Sequence, residues 1–353
     1  MKKIGGNCMK NKWSLIAMSA LFAVFLSACS GDNVKPVSGE EVEGENATYT
    51  LKFPHIVPTD HPAHKAALVF KDEVEKNSDG KVKVEVFANG ELYGSDREII
   101  EAIQLGNADI SMVGTPSLGT FDERFYVLDL PFLFASKEAP REALAGDLGK
   151  ELSDGLGSIN LKALGYGYDG FRHVLNNKKP IKKPEDMKGL KIRVQESEIQ
   201  QDIFNNLGAN ASPLAFGELY SALQQKTYDG MDNSLSLIDS SKFYEVQKYL
   251  TLTSHQYSGL AILFNNKLFD EMPADIQDII TEAGKKTEAE YYQFVDEDEE
   301  SMSTKFKSEN LIEVTELTAD GREKFIEAVQ PVYKKYEDII GKDLIDLAKS
   351  YSE

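Results

Sequence analysis

The chain has 353 residues, 41% of them hydrophobic, and a formal net charge of −19 from 39 basic and 58 acidic residues. This length can form two lobes rather than one, and the acidic balance argues against nucleic acid or a basic membrane-surface patch as a partner. Beyond residue 30, no apolar stretch of the sequence approaches the roughly 20 residues needed to span a bilayer.

The N-terminal segment has the pattern of a leader. Four lysines precede the apolar run Leu15–Leu26, and small residues then lead to Cys29, so residues 1–28 are predicted to be a secretory signal peptide. LSAC followed by serine also resembles a bacterial lipobox, which implies that Cys29 is lipidated and becomes the mature N-terminus. An ordinary signal peptide with a chance cysteine is the alternative. Residues 29–47 are acidic and lack apolar periodicity, which predicts a flexible tether.

From residue 49 onward, short apolar strands alternate with amphipathic helices, the pattern of an α/β fold. The predicted strands are YTLKFPH, VKVEVFA, ADISMVG, LKALGYGYD, LKIRVQ and HQYSGLAILFN. The first predicted helices are HKAALVFKDEVEKNSDG, SDREIIEAIQLG with Ser95 or Asp96 as N-cap, 199–207 and 217–225. Residues 274–308 carry helical periodicity without proline, which predicts one unusually long helix, and further helical stretches follow around 318–337 and 338–351.

Two segments of the chain resemble one another at a constant offset of 120 residues. Glu98–Asp109 (EIIEAIQLGNAD) and Glu218–Asp229 (ELYSALQQKTYD) share Glu, Ala, Gln and Asp, and each reads as a helix, a turn and an aspartate that opens a strand. Chance and shared helix composition are the alternative. A true repeat would give two similar βα sheets, whose strands end near Gly114 and Asn233 and face each other across a ligand cleft.

An enzyme is not predicted, because the sequence contains no nucleophile elbow, zinc-protease, phosphate-loop or dinucleotide-binding motif. The cysteines are Cys8 and Cys29, so thiol catalysis in the mature chain is also excluded. A metal-binding lipoprotein that uses His55, His61 and His64 in HIVPTDHPAH is an alternative. Their spacing matches no metal signature, and capping or surface roles are expected for them.

Anion binding by arginine is the third kind of chemistry to consider. Arg172 follows a glycine-punctuated strand, and Arg193 lies in KGLKIRVQES, where it alternates with Leu190, Ile192 and Val194. This alternation predicts a strand with one core face and Arg193 on the other face. A guanidinium offers paired N–H donors that match both oxygens of a carboxylate. From the local pattern alone, a surface salt bridge stays open for either arginine.

Longer stretches resemble the substrate-binding proteins of TRAP transporters, the DctP family. They are GFRHVLNNKKPIKKPEDMKGLKIRVQES, LGANASPLAFGELYSALQQKTYDGMDNSL, KFYEVQKYLTLTSHQYSG and GELYGSDREIIEAIQLGNADISM. The resemblance covers essentially all of residues 48–340. It implies a two-lobed α/β fold like the type II periplasmic binding proteins, with hinge strands and a long helix along both lobes, for which 274–308 is the candidate.

The resemblance also gives a division of the chain. Lobe I is expected at 48–169 plus roughly 256–290, and lobe II at 170–255 plus the C-terminal helices 291–353. Such a protein captures a small organic acid outside the cytoplasmic membrane, closes over it and delivers it to a sodium-coupled membrane permease. It needs no cofactor and performs no chemistry on the ligand. We expect a monomer, anchored by lipid at Cys29 on the cell surface or in the periplasm.

Four residues match ligand-contacting positions of the family. Arg193, in the G-x-K-[IL]-R-V motif, matches the principal carboxylate-binding arginine, and Arg172 matches a second arginine that helps. Phe216, in PLAFGELY, matches an aromatic residue packed over the ligand. Asn233, in DGMDNSL, matches a polar residue near the carboxylate.

The ligand itself is open between classes of acid. Two arginines that each hold a carboxylate would favour a C4-dicarboxylate, which is the expected ligand. Asp96 and His55 match positions that line the cleft in some members. Together with Gln195 and Glu196, they would instead hydrogen-bond hydroxyl groups and favour a sugar acid, and another monocarboxylate is a further alternative.

Overall fold

The computed structural model describes residues 48–352, so the predicted signal peptide, Cys29 and the predicted tether lie outside the described residues. The strands are β1 Tyr49–Pro54, β2 Val82–Phe87, β3 Ile110–Gly114, β4 Leu161–Phe171, β5 His173–Asn176, β6 Lys191–Val194, β7 Asn210–Pro213, β8 Gly230–Asn233, β9 Tyr249–Leu252, β10 Tyr257–Asn265 and β11 Glu313–Glu316. The first helices are α1 Pro62–Asn77, α2 Asp96–Leu105, α3 Thr115–Leu118, α4 Glu138–Ala145, α5 Asp147–Leu156, α6 Glu198–Asn206 and α7 Phe216–Gln224. The later helices are α8 Leu235–Ser240, α9 Asn266–Glu271, α10 Ala274–Ser308, α11 Ala319–Ala328, α12 Gln330–Ile340 and α13 Lys342–Ser350.

The described strands form three sheets, two in lobe I and one in lobe II. Lobe I is built on a three-stranded antiparallel sheet in the order β3-β10-β4, with the parallel pair β1-β2 beside it. Lobe II is built on a six-stranded sheet in the order β11-β9-β5-β8-β6-β7. The two-lobed α/β fold predicted from the sequence is therefore confirmed.

Local sequence explains where the helices begin and end. The Ser95 hydroxyl accepts a hydrogen bond from the Glu98 amide at 3.3 Å, which caps α2, and Gly106 ends that helix with φ at 73°. At the start of α1, His61 accepts from the Ala63 amide, and a proline occupies the first helical position.

The connections between the lobes converge on Arg172. It is the single residue between β4 in lobe I and β5 in lobe II, and residues 253–256 carry the chain back from β9 to β10. The Arg172 amide donates to the Gln256 carbonyl at 2.9 Å, and the His255 amide donates to the Arg172 carbonyl at 3.4 Å. These paired segments are the predicted hinge strands.

The predicted long helix is present as α10. It has 35 residues, or about 52 Å at 1.5 Å per residue. It packs on α1 and β4 in lobe I and on α8 in lobe II, where Lys305 Nζ lies 2.7 Å from an Asp239 carboxylate oxygen. None of the helices in residues 48–352 is long and apolar enough to cross a membrane.

The last helices contact elements of both lobes. α12 packs against α6 and against the 3-10 helix Glu123–Asp129, while α13 packs against α5 and the same 3-10 helix. The boundaries of lobes I and II within the C-terminal part of the chain stay a prediction.

The two similar segments end in the same local structure. The Asp109 amide donates to the Lys52 carbonyl at 3.1 Å, and the Lys52 amide donates to the Asp109 carboxylate at 2.7 Å. Asp229 and Lys191 make the same pair of bonds in lobe II, at 2.8 and 3.0 Å. Each aspartate thus fastens the start of one strand to its neighbour, and the strands that follow end at Gly114 and Asn233.

Candidate functional site: a buried guanidinium between two lobes

Arg193 lies inside the molecule, with only 2% of its surface exposed. Its strand, β6, lies between β7 and β8 in the sheet, and so both edges of the strand are paired. The Nε and Nη2 groups donate to the Leu214 carbonyl at 2.9 and 2.6 Å, whereas Nη1 has no hydrogen-bond partner among the described residues. Burial lowers the pKa of Arg193 to about 10, which leaves the guanidinium charged at neutral pH. A buried cation with an unused donor is a strong site for an anion.

Three carboxylates lie in the electrostatic environment of Arg193, those of Asp232, Glu196 and Asp96. The Asp96 carboxylate accepts a hydrogen bond from the Gly114 amide at 3.0 Å, and burial raises the pKa of Asp96 to about 6 although Arg193 opposes this. Glu196 lines a cavity of about 680 Å³ next to the Leu214 carbonyl segment. The surroundings of Arg193 are therefore rich in hydrogen-bond acceptors.

Arg172 is already paired within the protein. Its Nε donates to the Asp232 carboxylate at 2.6 Å, its Nη2 to the Asp232 carbonyl at 2.7 Å, and its Nη1 to the Asn233 side-chain carbonyl at 3.1 Å. Burial alone would raise the pKa of Asp232, but the Arg172 guanidinium outweighs it and holds that pKa well below its usual range. His255 Nε2 lies 3.3 Å from the same Asp232 oxygen. Arg172 thus joins the hinge to the end of β8, where Asn233 lies.

The ends of strands from the two lobes meet beside Arg193. A Cβ atom at Gly114, the last residue of β3, would lie 2.9 Å from an Asp96 carboxylate oxygen and 3.2 Å from Gln195 Nε2. Only glycine fits there without displacing a neighbour. A second contact joins the lobes nearby, because the Gly217 amide at the start of α7 donates to the Gly94 carbonyl at 3.0 Å. The cleft is closed in this structure.

Phe216 and His55 lie at other parts of the interface. Phe216 lines a separate cavity of about 510 Å³ together with Ile56 and Gly94, and its ring packs edge-on against Phe243 at 6.0 Å. His55 is 2% exposed, and its Nε2 lies 2.9 Å from His64 Nδ1. Burial is the main cause that lowers the pKa of His55 to about 3, so the ring is neutral. The structure shows His55 bonded to His64 rather than to the group around Arg193.

The three histidines considered for a metal do not form one site. His55 pairs with His64, whereas His61 Nε2 lies 3.0 Å from an Asp169 carboxylate oxygen. Across residues 48–352, no group of three or more His, Cys, Asp or Glu side chains is arranged to hold a metal ion. The geometry gives no support to the metal-binding alternative.

Asp232 and the Leu214 carbonyl were not identified from the sequence. Asp232 lies in the short segment GMDN, whose four residues the structure buries, and a buried carboxylate requires a cation. The sequence of this short, polar segment does not indicate that burial. The Leu214 carbonyl left no signal either, since any residue type can supply a main-chain acceptor.

Comparisons with known proteins agree with this architecture. Residues 53–338 match the DctP family, described as bacterial extracellular solute-binding protein, family 7. The C4-dicarboxylate-binding protein DctB of Bacillus subtilis is 35% identical over 313 residues, which are 89% of each chain. A crystal structure of the sugar acid binding protein DctPAm of Advenella mimigardefordensis with galactonate has a TM-score of 0.83 at 36% identity, covering 87% of this chain and 100% of that one. A TRAP periplasmic solute-binding protein of Sulfurospirillum deleyianum with bound succinate has a TM-score of 0.82 at 34% identity, covering 86% and 99%.

The closed two-lobed fold and its buried cation define a solute-binding protein rather than an enzyme. The chain belongs to family 7 of the bacterial extracellular solute-binding proteins, the DctP family, and the predicted family is confirmed. Proteins of this family bind small organic acids outside the cytoplasm and work with the membrane permease of a TRAP transporter.

Proposed function

We propose that this protein captures an organic acid whose carboxylate binds Arg193 in the closed cleft. The observation that carries the proposal is the Nη1 group of Arg193, which is buried and without a partner among the described residues. A carboxylate oxygen at this position would complete the guanidinium's hydrogen bonds and compensate its charge. Asn233, at the end of β8, is the predicted polar contact to this head group.

The proposed ligand is an acid with one carboxylate and a hydroxylated chain, such as an aldonate. The sequence favoured a C4-dicarboxylate because Arg172 and Arg193 could each hold one carboxylate, but Arg172 is engaged by Asp232 and Asn233. Besides Asp232, which is paired with Arg172, the carboxylates of Asp96 and Glu196 lie in the electrostatic environment of Arg193. A second carboxylate would meet these two acids, whereas hydroxyl groups would donate to them. The two similar structures contain galactonate and succinate, and so the relatives support either class.

Closure of the lobes is the proposed mechanism of capture. A ligand that contacts Arg193 in lobe II and Asp96 in lobe I makes both contacts only when the cleft is closed. It therefore shifts the equilibrium toward the closed state by its difference in affinity for the two states. The permease would then receive the closed, loaded form.

A thermal-shift panel of D-galactonate, D-gluconate, succinate and L-malate tests this proposal. An acid at 100 times its Kd stabilises the folded protein by about 2.7 kcal/mol, which is readily measured. We expect the two aldonates to raise the melting temperature and the two dicarboxylates to leave it unchanged. A larger shift with succinate or malate would overturn the aldonate assignment but not organic-acid binding. An Arg193→Ala variant that keeps the wild-type shift would overturn the assigned site.

The location proposed for the mature protein is the outer face of the cytoplasmic membrane, with a lipid on Cys29. The support is the sequence LSAC followed by serine after an apolar run. The Cys29→Ser variant should move from the membrane fraction to the soluble fraction and lose labelling by a radioactive fatty acid. Wild-type protein that is unlabelled and soluble would contradict the lipid anchor.

A further inference from the structure

Four polar side chains form a continuous chain from the hinge to the ligand cleft. Gln256 Nε2 donates to Asp129 Oδ1 at 2.8 Å, and Gln200 Nε2 donates to Gln256 Oε1 at 3.4 Å. Gln200 Nε2 also donates to Gln195 Oε1 at 3.1 Å, and Gln200 Oε1 accepts from the Gln195 main-chain amide at 3.1 Å. We name Asp129, Gln256, Gln200 and Gln195 the amide chain.

The amide chain crosses both lobes and the connection between them. Asp129 ends the 3-10 helix that packs on α12, Gln256 lies in the segment that returns the chain to β10, and Gln200 is on α6. Gln195 directly follows β6, two residues after Arg193. Asp129, Gln256 and Gln200 are at most 1% exposed. Burying three such side chains is unfavourable unless their hydrogen bonds are made, and apolar side chains would fill the same space more simply.

The orientation of every carboxamide in the amide chain is determined. A main-chain N–H can only donate, so the atom of Gln200 that faces the Gln195 amide is Oε1. Gln200 Nε2 then faces the side-chain oxygens of Gln195 and Gln256. Gln256 Nε2 is left to donate to Asp129, and Gln195 Nε2 is left at the other end, beside Gly114 of lobe I.

We propose that Asp129, Gln256 and Gln200 are positioning residues that hold the Gln195 carboxamide with its N–H donors toward the ligand cleft. The Gln195 N–H group then donates to an acceptor on the bound acid, on the same side of the cleft where the Asp96 carboxylate accepts from a donor on the acid. A hydroxyl group can satisfy both, because it donates and accepts. The contact to the acid rests on the proposed function, whereas the orientation of Gln195 does not.

Gln256→Met is the informative variant, since it keeps the volume of the side chain and removes its hydrogen bonds to Asp129 and Gln200. In the ligand-free protein, we expect exchange of the Gln195 main-chain amide to become at least about threefold faster, while exchange in β3 is unchanged. Asp129→Asn is the matched control, because its side-chain oxygen still accepts from Gln256, and it should exchange like the wild type. Unchanged exchange at Gln195 in Gln256→Met would overturn the proposal whether or not any acid binds. If Gln256→Met does not fold, the double variant Asp129→Leu/Gln256→Met takes its place.

A double-mutant cycle with D-galactonate as the probe tests the effect on the ligand. Gln256→Met should weaken binding about tenfold in the wild-type background and less than about twofold in a Gln195→Ala background. Equal losses in both backgrounds would show a structural role only and would overturn the positioning role. Should D-galactonate fail to bind the wild type, the proposed ligand class is wrong, and the exchange measurement alone decides on the amide chain.

Discussion

Arg193 and Arg172 are both buried, but their guanidinium groups have different tasks. Arg172 donates hydrogen bonds to Asp232 and Asn233, and the Asp232 carboxylate compensates its charge within the protein. Arg193 has only a main-chain carbonyl as a direct partner, and its Nη1 has none among the described residues. Removing Arg172 would leave the buried Asp232 carboxylate without its guanidinium partner, whereas removing Arg193 takes away a cation whose Nη1 makes no hydrogen bond among the described residues.

For Arg193→Ala, we expect the affinity for the bound acid to fall by two to three orders of magnitude. The reason is the cost, on the order of 3–5 kcal/mol, of burying a carboxylate without its partner. Arg193→Lys should recover only part of the loss, since an ammonium cannot make the paired contact. Isothermal calorimetry measures both. Arg141→Ala, at an exposed arginine that stacks on Tyr292, is the control and should bind normally. A loss below tenfold for Arg193→Ala would contradict the assigned role.

Asp129 makes the free energy of unfolding depend on pH. Burial raises the pKa of its carboxyl from 3.8 to about 8. Between these values, the folded state keeps a proton that the unfolded state has released, so stability falls as the pH rises, by at most about 1.4 kcal/mol per pH unit. Asp129→Asn lacks this contribution. Urea unfolding of both proteins at pH 5, 6, 7 and 8 should show the wild type losing stability relative to the variant at each step. A difference that is constant with pH would show that the Asp129 pKa is not raised.

Among the helices and strands, the sequence predicted the ones with a long, regular pattern of apolar residues. α10 was predicted over its full length because its periodicity is uninterrupted by proline, and β10 was predicted from its apolar run. β5, β7, β9 and β11 have four residues each and were not predicted. β6 is equally short, but the alternation extends beyond its ends in the sequence, and so it was predicted. α4 and α5 were also missed, because Gly146 divides them. Tertiary packing decides such elements.

The site was predictable only in part for a similar reason. The alternation in KGLKIRVQES indicated a strand with a single core face, but the structure buries Arg193 as well as Ile192. The family resemblance, not the periodicity, singled out Arg193 as a ligand contact. The pairing of Arg172 with Asp232 joins residues 60 positions apart and has no local signature. Whether Phe216, His55 and the other matched residues contact the ligand stays a prediction.

Gly114, the last residue of β3, lies where a side chain would obstruct closure of the cleft. In Gly114→Ala, the new methyl group would meet an Asp96 oxygen and Gln195 Nε2 within 3.2 Å, so the ends of β3 and β6 must separate. We expect about tenfold weaker binding of the acid, equivalent to about 1.4 kcal/mol. Gly157→Ala is the control, because nothing lies within 4 Å of the added Cβ. Binding of Gly114→Ala equal to that of the control would show that this contact does not limit closure.

For the molecule as a whole, ligand binding should be visible as a change in distance between the lobes. Leu92 is 42% exposed, close to Gly94, and Glu218 is exposed next to Gly217, the residue that bonds Gly94. A chain that begins at residue 30 has no native cysteine. In the double variant Leu92→Cys/Glu218→Cys, spin labels therefore attach only at these two positions. Double electron–electron resonance should show one short distance between the two spin labels with the bound acid, and a longer, broader distribution of distances without it. The same distribution in both conditions would contradict closure around the ligand.

The order of strands in lobe I has a consequence for how the protein is made. β10 is the central strand between β3 and β4, yet it follows the whole of the lobe II sheet except β11 in the sequence. During synthesis, β3 and β4 therefore lack the strand that pairs with both of them until β10, Tyr257–Asn265, has been added. Contacts between such distant segments form slowly. The sheet of lobe I therefore cannot be completed until most of the chain has been synthesised.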